Sequence, residues 1–283
     1  MNNTLEKLVT LIAAAWTACG CCNDFKPGTA KTFPVIKQEG KVAIVAHRGF
    51  WNCEAAGYSQ NSIAALKAAQ DNGFWGSECD LQMTSDDIVI VNHDDQIDGV
   101  RIWDNPYSAF ASMTLNNGEH PSTLDQYLDQ TAKCKTTMLV IELKKQKDLD
   151  REDILWKKTV QALKAHKLYN PRRVIFISFS KHLSQLIAAE APQFVNQYLN
   201  GDFSPEEVAG ARINGIDYNQ KVLGTFPEYV TESHRLGMTV NVWTVDKDIL
   251  MQSFLQMGVD QITTNEPLVL RSILGDKEFS LTK

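Results

Sequence analysis

Residues 239–267 read TVNVWTVDKDILMQSFLQMGVDQITTNEP. The stretch opens with an apolar run, Thr239 to Thr244, continues with a helical pattern over 247–257 that stops at Gly258, and ends in a second short run, Gln261 to Thr264. Glycine ends helices because it enters the left-handed region without steric cost. Two strands separated by one helix pair in parallel through a right-handed crossover, so this is a βαβ unit.

The same unit repeats outward along the chain. Further apolar runs lie at Val42 to Ala46, Trp75 to Leu81, Ile88 to His93, Met138 to Leu143, Val174 to Ser178, Phe194 to Leu199 and Gly215 to Tyr218. Helical segments fall near 61–72, 123–134, 152–167, 181–190, 205–211, 227–236 and 266–274. Ser204, Pro205 and Glu207 carry the signature of a capped helix start. Nine runs and eight helices reconcile if Ile88 to His93 folds back on Trp75 to Leu81 through the turn Thr84 to Asp87, as a hairpin arm. Eight βα units remain, which predicts an α/β fold: a (β/α)8 TIM barrel with a small insertion after the second strand. An open doubly wound sheet would call for a glycine-rich phosphate loop after the first strand, and none is present. The barrel is expected over 41–283, with an insertion at about 95–122 rich in Asn, Asp, Pro and aromatics. Its Trp103, Tyr107 and Phe110 are expected to shape access to the site.

The 283 residues are 43% hydrophobic and 22% charged, proportions that exclude a disordered or fibrous chain. A net charge of −6 advertises no basic face, so nucleic acid is not an expected partner. Lys7 precedes an apolar run, Leu8 to Ala18, too short to cross a bilayer and ending at Cys19, Gly20, Cys21 and Cys22. Residues 1–22 read as a signal segment of the lipoprotein kind, with Cys19 the first choice for the lipidated residue and Cys21 the second, followed by a polar linker over 23–40. An exported protein of the periplasm, outer membrane or cell surface, attached to membrane through that cysteine, is the expectation. Cys53, Cys79 and Cys134 remain, without metal-type spacing. They read as small buried hydrophobes, with a Cys53–Cys79 disulfide as the alternative.

Polar residues gather where barrel chemistry takes place, at the carboxyl ends of the strands. The first strand ends in His47-Arg48-Gly49, the second carries Glu78 and Asp80, the hairpin arm ends in His93-Asp94, and the next strand carries Glu142 and Lys144. Residues two apart on a strand project to the same side, so Glu78, Asp80 and Glu142 can converge. Converging carboxylates need a cation, and oxygen ligands without Cys or clustered His suit one hard divalent ion, Mg²⁺ or Ca²⁺. Arg48 offers a planar fork for phosphate oxygens and Lys144 a point charge. His47 and His93 can divide the base and acid roles, which residue types alone do not assign. His120, His166, His182 and His234 read as surface residues.

This combination resembles the glycerophosphodiester phosphodiesterase family. The likeness runs through His47-Arg48-Gly49, Gln60-Asn61-Ser62, Glu78-Cys79-Asp80, His93-Asp94, Glu142-Leu143-Lys144, Ser178-Phe179, Val242 to Val245, and Gly258-Val259-Asp260 with Thr264 to Pro267. The resemblance implies a metal-dependent barrel that cleaves a glycerophosphodiester, a small-molecule substrate, to glycerol 3-phosphate and an alcohol. It implies Glu78, Asp80 and Glu142 as metal ligands, His47 and His93 as the acid/base pair, Arg48 and Lys144 as phosphate contacts, and Trp243 beside the glycerol. Three departures stand out. Gln60 replaces an acid, a charge that Glu54 is placed to supply; the loop from Gly49 to Gln60 is long; and Asn265 replaces an Asp, where it is expected to cap a helix. Two rival functions remain, a lysophospholipid or sphingolipid phosphodiesterase that stops at a cyclic phosphate, and a non-catalytic binder of polyol phosphates at the cell surface.

Overall fold

The structure, a computed structural model, describes residues 40–280. The signal segment and almost all of the linker expected at 23–40 lie outside the described residues. Eight parallel strands form the barrel: β1 (Val42–Ala46), β2 (Gly76–Met83), β6 (Met138–Leu143), β7 (Val174–Ser178), β8 (Asn196–Tyr198), β9 (Gly215–Asn219), β10 (Thr239–Trp243) and β11 (Gln261–Thr264). Each pairs with the next, and β1 closes the ring by pairing with β11 on one side and with β2 on the other, Val45 opposite Gly76. Helices Ile63–Asp71, Leu124–Ala132, Leu149–Ala165, Lys181–Glu190, Pro205–Gly210, Glu228–Arg235, Asp248–Met257 and Pro267–Leu274 follow the strands. This is the TIM-barrel architecture that the alternation predicts.

Strand periodicity divides the core. On β1, Ile44 and Ala46 belong to a cluster facing the helices, whereas Ala43 and Val45 join Val140, Ile175, Ile177 and Val195 across the barrel lumen. The lower lumen is closed by Trp75 and Phe279, whose ring centroids lie 6.3 Å apart. Phe279 reaches that position because the two-residue strand β12 (Glu278–Phe279) pairs in parallel with the first residues of β1.

The hairpin arm is present as β3 (Val89–Val91), antiparallel to β2 with Leu81 opposite Val91. It is shorter than the apolar run, so His93 lies two residues beyond its end, in a loop. The insertion holds a small hairpin, β4 (Gln96–Ile97) with β5 (Val100–Arg101), and two 3₁₀ turns. Phe110 is not an access residue: it is fully buried with Ile90 and Ile102 in the insertion's own small core, and Tyr107 packs against them. The short helix Gln220–Thr225 and β12 lie outside the segments expected from the sequence; the helix lacks the Ser-Pro-x-Glu start that marks the equally short Pro205–Gly210, and two residues are too few to show a period. Cys53, Cys79 and Cys134 are free thiols. Cys53 packs in the helix-side cluster of β1 and Cys79 in the one beneath β6 and β7, so the alternative disulfide does not form.

Replacing Phe279 with Ala should lower unfolding free energy by about 3 kcal/mol, since it removes a buried ring and opens the barrel floor. Urea unfolding followed by tryptophan fluorescence measures the loss.

Candidate active site

β2 and β6 run side by side with Asp80 opposite Glu142, and the two-residue spacing places Glu78 on the same inner face. One oxygen from each of Glu78, Asp80 and Glu142 lies within 4.8 Å of the others, and all three residues are buried. Burial, then the neighbouring Asp80, pushes the Glu142 carboxyl up. Burial, then Asp80 and Glu142, pushes Glu78 up as well. Burial pushes Asp80 the same way, but Lys144, His93 and Asn61 outweigh it and hold this carboxyl below its usual range. Lys144 Nζ lies 2.9 Å from Asp80 Oδ1 and 2.8 Å from Glu142 Oε1. Glu78 Oε1 is buried without a hydrogen-bond partner. An all-oxygen donor set with an orphaned carboxylate oxygen and two acids that burial drives toward protonation fits a hard divalent cation, which would take the place of the protons.

The turn after β1 locks this cluster in place. Arg48, at φ 55°, donates its backbone N–H to Glu78 Oε2 at 2.7 Å, and the Gly49 N–H donates to the Glu78 carbonyl at 3.0 Å. Gly49 is required here: φ is +77°, and a Cβ would sit 2.7 Å from the Ala65 backbone. Asn61 Nδ2 donates to Asp80 Oδ2 at 2.7 Å, and the Asp80 N–H returns a bond to Asn61 Oδ1 at 3.2 Å. Ser62 Oγ then caps the following helix by accepting from the Ala65 N–H. Gln60 does not join the acids. Its Oε1 accepts from Arg48 Nη1 at 2.5 Å, so the amide tethers the guanidinium. Glu54 sits exposed on a 3₁₀ turn outside the carboxylate cluster and supplies no charge to it.

The two imidazoles have different partners. His47 Nδ1 lies 2.9 Å from Asn265 Oδ1, an oxygen that also accepts from Trp51 Nε1 at 2.8 Å. Asn265 Nδ2 donates to Asp246 Oδ2 at 2.9 Å, which fixes the amide orientation and makes Nδ1 the protonated nitrogen of His47. Asn265 is therefore not the expected helix cap: Glu266 occupies the cap position, and the Asn265 side chain points back to His47. Burial, then the Arg48 charge, lowers the His47 pKa to about 4, so the ring is neutral near pH 7 with Nε2 unprotonated. His93 is 38% exposed at its side chain, with Nδ1 2.7 Å from Asp94 Oδ1. The adjacent aspartate reaches it because the pair sits in a loop and not on a strand.

Both histidines line one cavity of about 140 Å³ together with Arg48, Glu78, Glu142 and Trp243. Trp243 is half-buried, meets Phe179 edge-to-face at 5.5 Å, and donates its indole N–H to the Asp217 carbonyl at 2.9 Å. It thus forms an apolar wall opposite the charged end. All eight residues singled out from the sequence are brought to the barrel mouth. Asn265, Asp246 and Gln60 complete the site; Asn265 and Gln60 show in the sequence as departures from a family pattern, and Asp246 carries no such signal.

The chain was compared with known proteins on this basis. Residues 47–269 match the model of the glycerophosphoryl diester phosphodiesterase family. A glycerophosphodiester phosphodiesterase of Caldanaerobacter subterraneus is 27% identical over 248 residues, covering 83% of this chain and 98% of that protein. The crystal structure of a glycerophosphodiester phosphodiesterase from Parabacteroides distasonis superposes with a TM-score of 0.81 at 38% identity, covering 84% of this chain and 98% of that one. An Oleispira antarctica phosphodiesterase, solved in complex with the product sn-glycerol-3-phosphate, shares the fold with a TM-score of 0.70 at 20% identity, covering 82% and 96%.

Asn265→Ala should lower kcat about 10²-fold with KM little changed, because His47 loses its orienting acceptor. NMR of ¹⁵N-labelled imidazole in the variant is expected to show mixed His47 tautomers where the parent shows Nδ1–H alone; an unchanged tautomer would contradict the positioning role.

Proposed function

The chain belongs to the glycerophosphoryl diester phosphodiesterase family and is a phosphoric diester hydrolase; we propose that it converts glycerophosphodiesters to glycerol 3-phosphate and an alcohol by two-histidine acid/base chemistry beside one divalent ion. The observation that carries this reading is the meeting of the buried carboxylate trio with two imidazoles at one cavity.

Glu78, Asp80 and Glu142 would hold the ion, Mg²⁺ or Ca²⁺. Held by these carboxylates, such an ion would supply Lewis-acid stabilisation of charge on the phosphate. Arg48, tethered by Gln60, presents its guanidinium to the phosphate, and Lys144 adds positive charge from the side of Glu142. His47 Nε2 takes the proton of the glycerol 2-hydroxyl, whose oxygen attacks phosphorus. His93 gives its proton to the alcohol oxygen as the phosphorus–oxygen bond breaks. The intramolecular nucleophile benefits from proximity and leaves a five-membered cyclic phosphate. In the second half His93 takes a proton from water, the resulting hydroxide opens the ring, and His47 returns its proton to the 2-hydroxyl. His47 suits the base role because it is neutral with Nε2 free. Burial lowers the His93 pKa against the opposing pull of Asp80 and Asp94, and its partly exposed ring, anchored through Nδ1 by Asp94, suits the acid role by position.

The product complex of the Oleispira antarctica relative supports the choice of product. Incubation with glycerophosphocholine or glycerophosphoethanolamine should release glycerol 3-phosphate, and chelation should abolish release until Mg²⁺ or Ca²⁺ is restored. His47→Ala and His93→Ala should each lower kcat by about 10² to 10⁴. Accumulation of cyclic phosphate alone would favour the cyclising reading, and no product at any metal concentration would favour the binder.

Export and lipid attachment are proposed from Lys7, the Leu8 to Ala18 run and Cys19. Expressed in a bacterial host, the full chain should partition with membranes, and Cys19→Ser should release it to the soluble fraction. An unchanged distribution would move the attachment to Cys21 or remove it.

A further inference from the structure

The barrel lumen is chemically divided. Its β1, β6 and β7 side is lined by small and branched apolar residues, the usual filling of such barrels. Its β8 to β11 side carries Gln197, Asp217, Asn241, Gln261 and Thr263, each no more than 3% exposed. Most of these satisfy one another: Gln197 Nε2 donates to Thr239 Oγ1 at 3.0 Å and to Gln261 Oε1 at 3.1 Å, and Asn241 Nδ2 donates to Thr263 Oγ1 at 2.8 Å.

Gln197 Oε1, Gln261 Nε2 and Asp217 Oδ1 are left without partners, and of these three residues Asp217 is the one that lines the catalytic cavity. It is 1% exposed, lines the 140 Å³ catalytic cavity, and leaves Oδ1 without a hydrogen-bond partner. A buried polar atom without a partner is destabilising, and such atoms in folded proteins call for a specific reason. The catalytic steps above do not use this carboxyl. Burial pushes it up to about 8 against an opposing hydrogen bond from Asn241, which favours the neutral acid near pH 7 and leaves Oδ1 to meet a ligand. A neutral donor–acceptor group suits an alcohol and does not attract a cation.

The surroundings restrict what that alcohol belongs to. Trp243, Phe179 and Leu199 give the cavity an apolar wall, and the Trp243 indole is fixed by the Asp217 backbone carbonyl, so wall and carboxyl are positioned by the same residue. Arg48, Glu78 and Glu142 occupy the charged end. The volume is well below the roughly 300 to 1,000 Å³ of a pocket for a drug-sized ligand. A short polyol phosphate matches this shape: phosphate at the charged end, C–H faces on the rings, and one hydroxyl left over for the orphaned oxygen.

We propose that Asp217 is a specificity-determining residue that reads the free primary hydroxyl of the glycerol unit. The inference rests on the phosphodiesterase reading and deepens it, since the 2-hydroxyl is already committed to His47. The role is one of hydrogen bonding alone, with no proton transferred at the reacting atoms.

Calorimetric binding to the Mg²⁺-saturated full chain tests this without turnover, using sn-glycerol 3-phosphate, propane-1,2-diol 1-phosphate, which lacks only the primary hydroxyl, and inorganic phosphate. The parent protein should prefer glycerol 3-phosphate over the diol phosphate by at least about tenfold. Asp217→Val should reduce that preference to near one while leaving inorganic phosphate binding unchanged, and Asp217→Asn, which also offers a donor and an acceptor, should keep it. Equal binding of the two esters by the parent protein overturns the proposal. So does a uniform loss for all three ligands in Asp217→Val, which marks a structural role. Should Asp217→Val fail to fold, the parent preference together with Asp217→Asn decides the matter. Failure of the parent to bind any of the three would sink the phosphodiesterase reading itself, and is distinct from the equal-binding result.

Discussion

Three carboxylates packed into a buried barrel mouth set the terms for every neighbouring residue. At 4 Å and an effective dielectric near 20, two unit charges repel by about 4 kcal/mol, and burial adds a desolvation cost to each. The protein answers with Lys144 between Asp80 and Glu142, with the Asn61 amide on Asp80, and with backbone N–H groups of the first turn on Glu78. The left-handed backbone at Arg48, Gly49 and Asn61 follows from the need to aim those groups at the acids. What the protein leaves unanswered is the remaining negative charge and the Glu78 Oε1 oxygen, and a divalent ion would answer both.

The rest of the site is arranged around that centre. Trp75 and Phe279 close the floor, so the lumen opens only where the strands end. The two imidazoles then differ in partner and exposure, although burial lowers the pKa of both. A neutral amide oxygen holds the Nδ1 proton of His47, whereas the Asp94 carboxylate anchors His93 and pulls against the burial that lowers its pKa. An aspartate in place of Asn265 would have favoured the charged form of His47, so the amide at that position agrees with a base that must begin unprotonated.

Much of this was legible in the sequence because strand alternation and strand-end position have simple geometric consequences. Glu78 with Asp80, and Glu142 with Lys144, face inward for the same reason that Val45 and Val140 do. Contacts between residues far apart in sequence were not legible. Asn265 read as a cap because its neighbours resemble a helix start; its bond to His47 spans 218 positions and leaves no local signal. Phe110 read as an access residue from the location of its insertion alone, yet the insertion folds over a small core of its own. Asp217 passed unremarked, since an acid in Gly-Ile-Asp-Tyr-Asn looks like one on a solvated strand edge.

Glu78, Asp80 and Glu142 are proposed to share one hard cation at the mouth of the barrel. A crystal of the protein grown with Mn²⁺ in place of Mg²⁺ tests it directly through anomalous scattering. A single strong peak is expected within about 2.0 to 2.6 Å of an oxygen from each of these three residues. A peak at other side chains, or none at this cluster at saturating Mn²⁺, would contradict it.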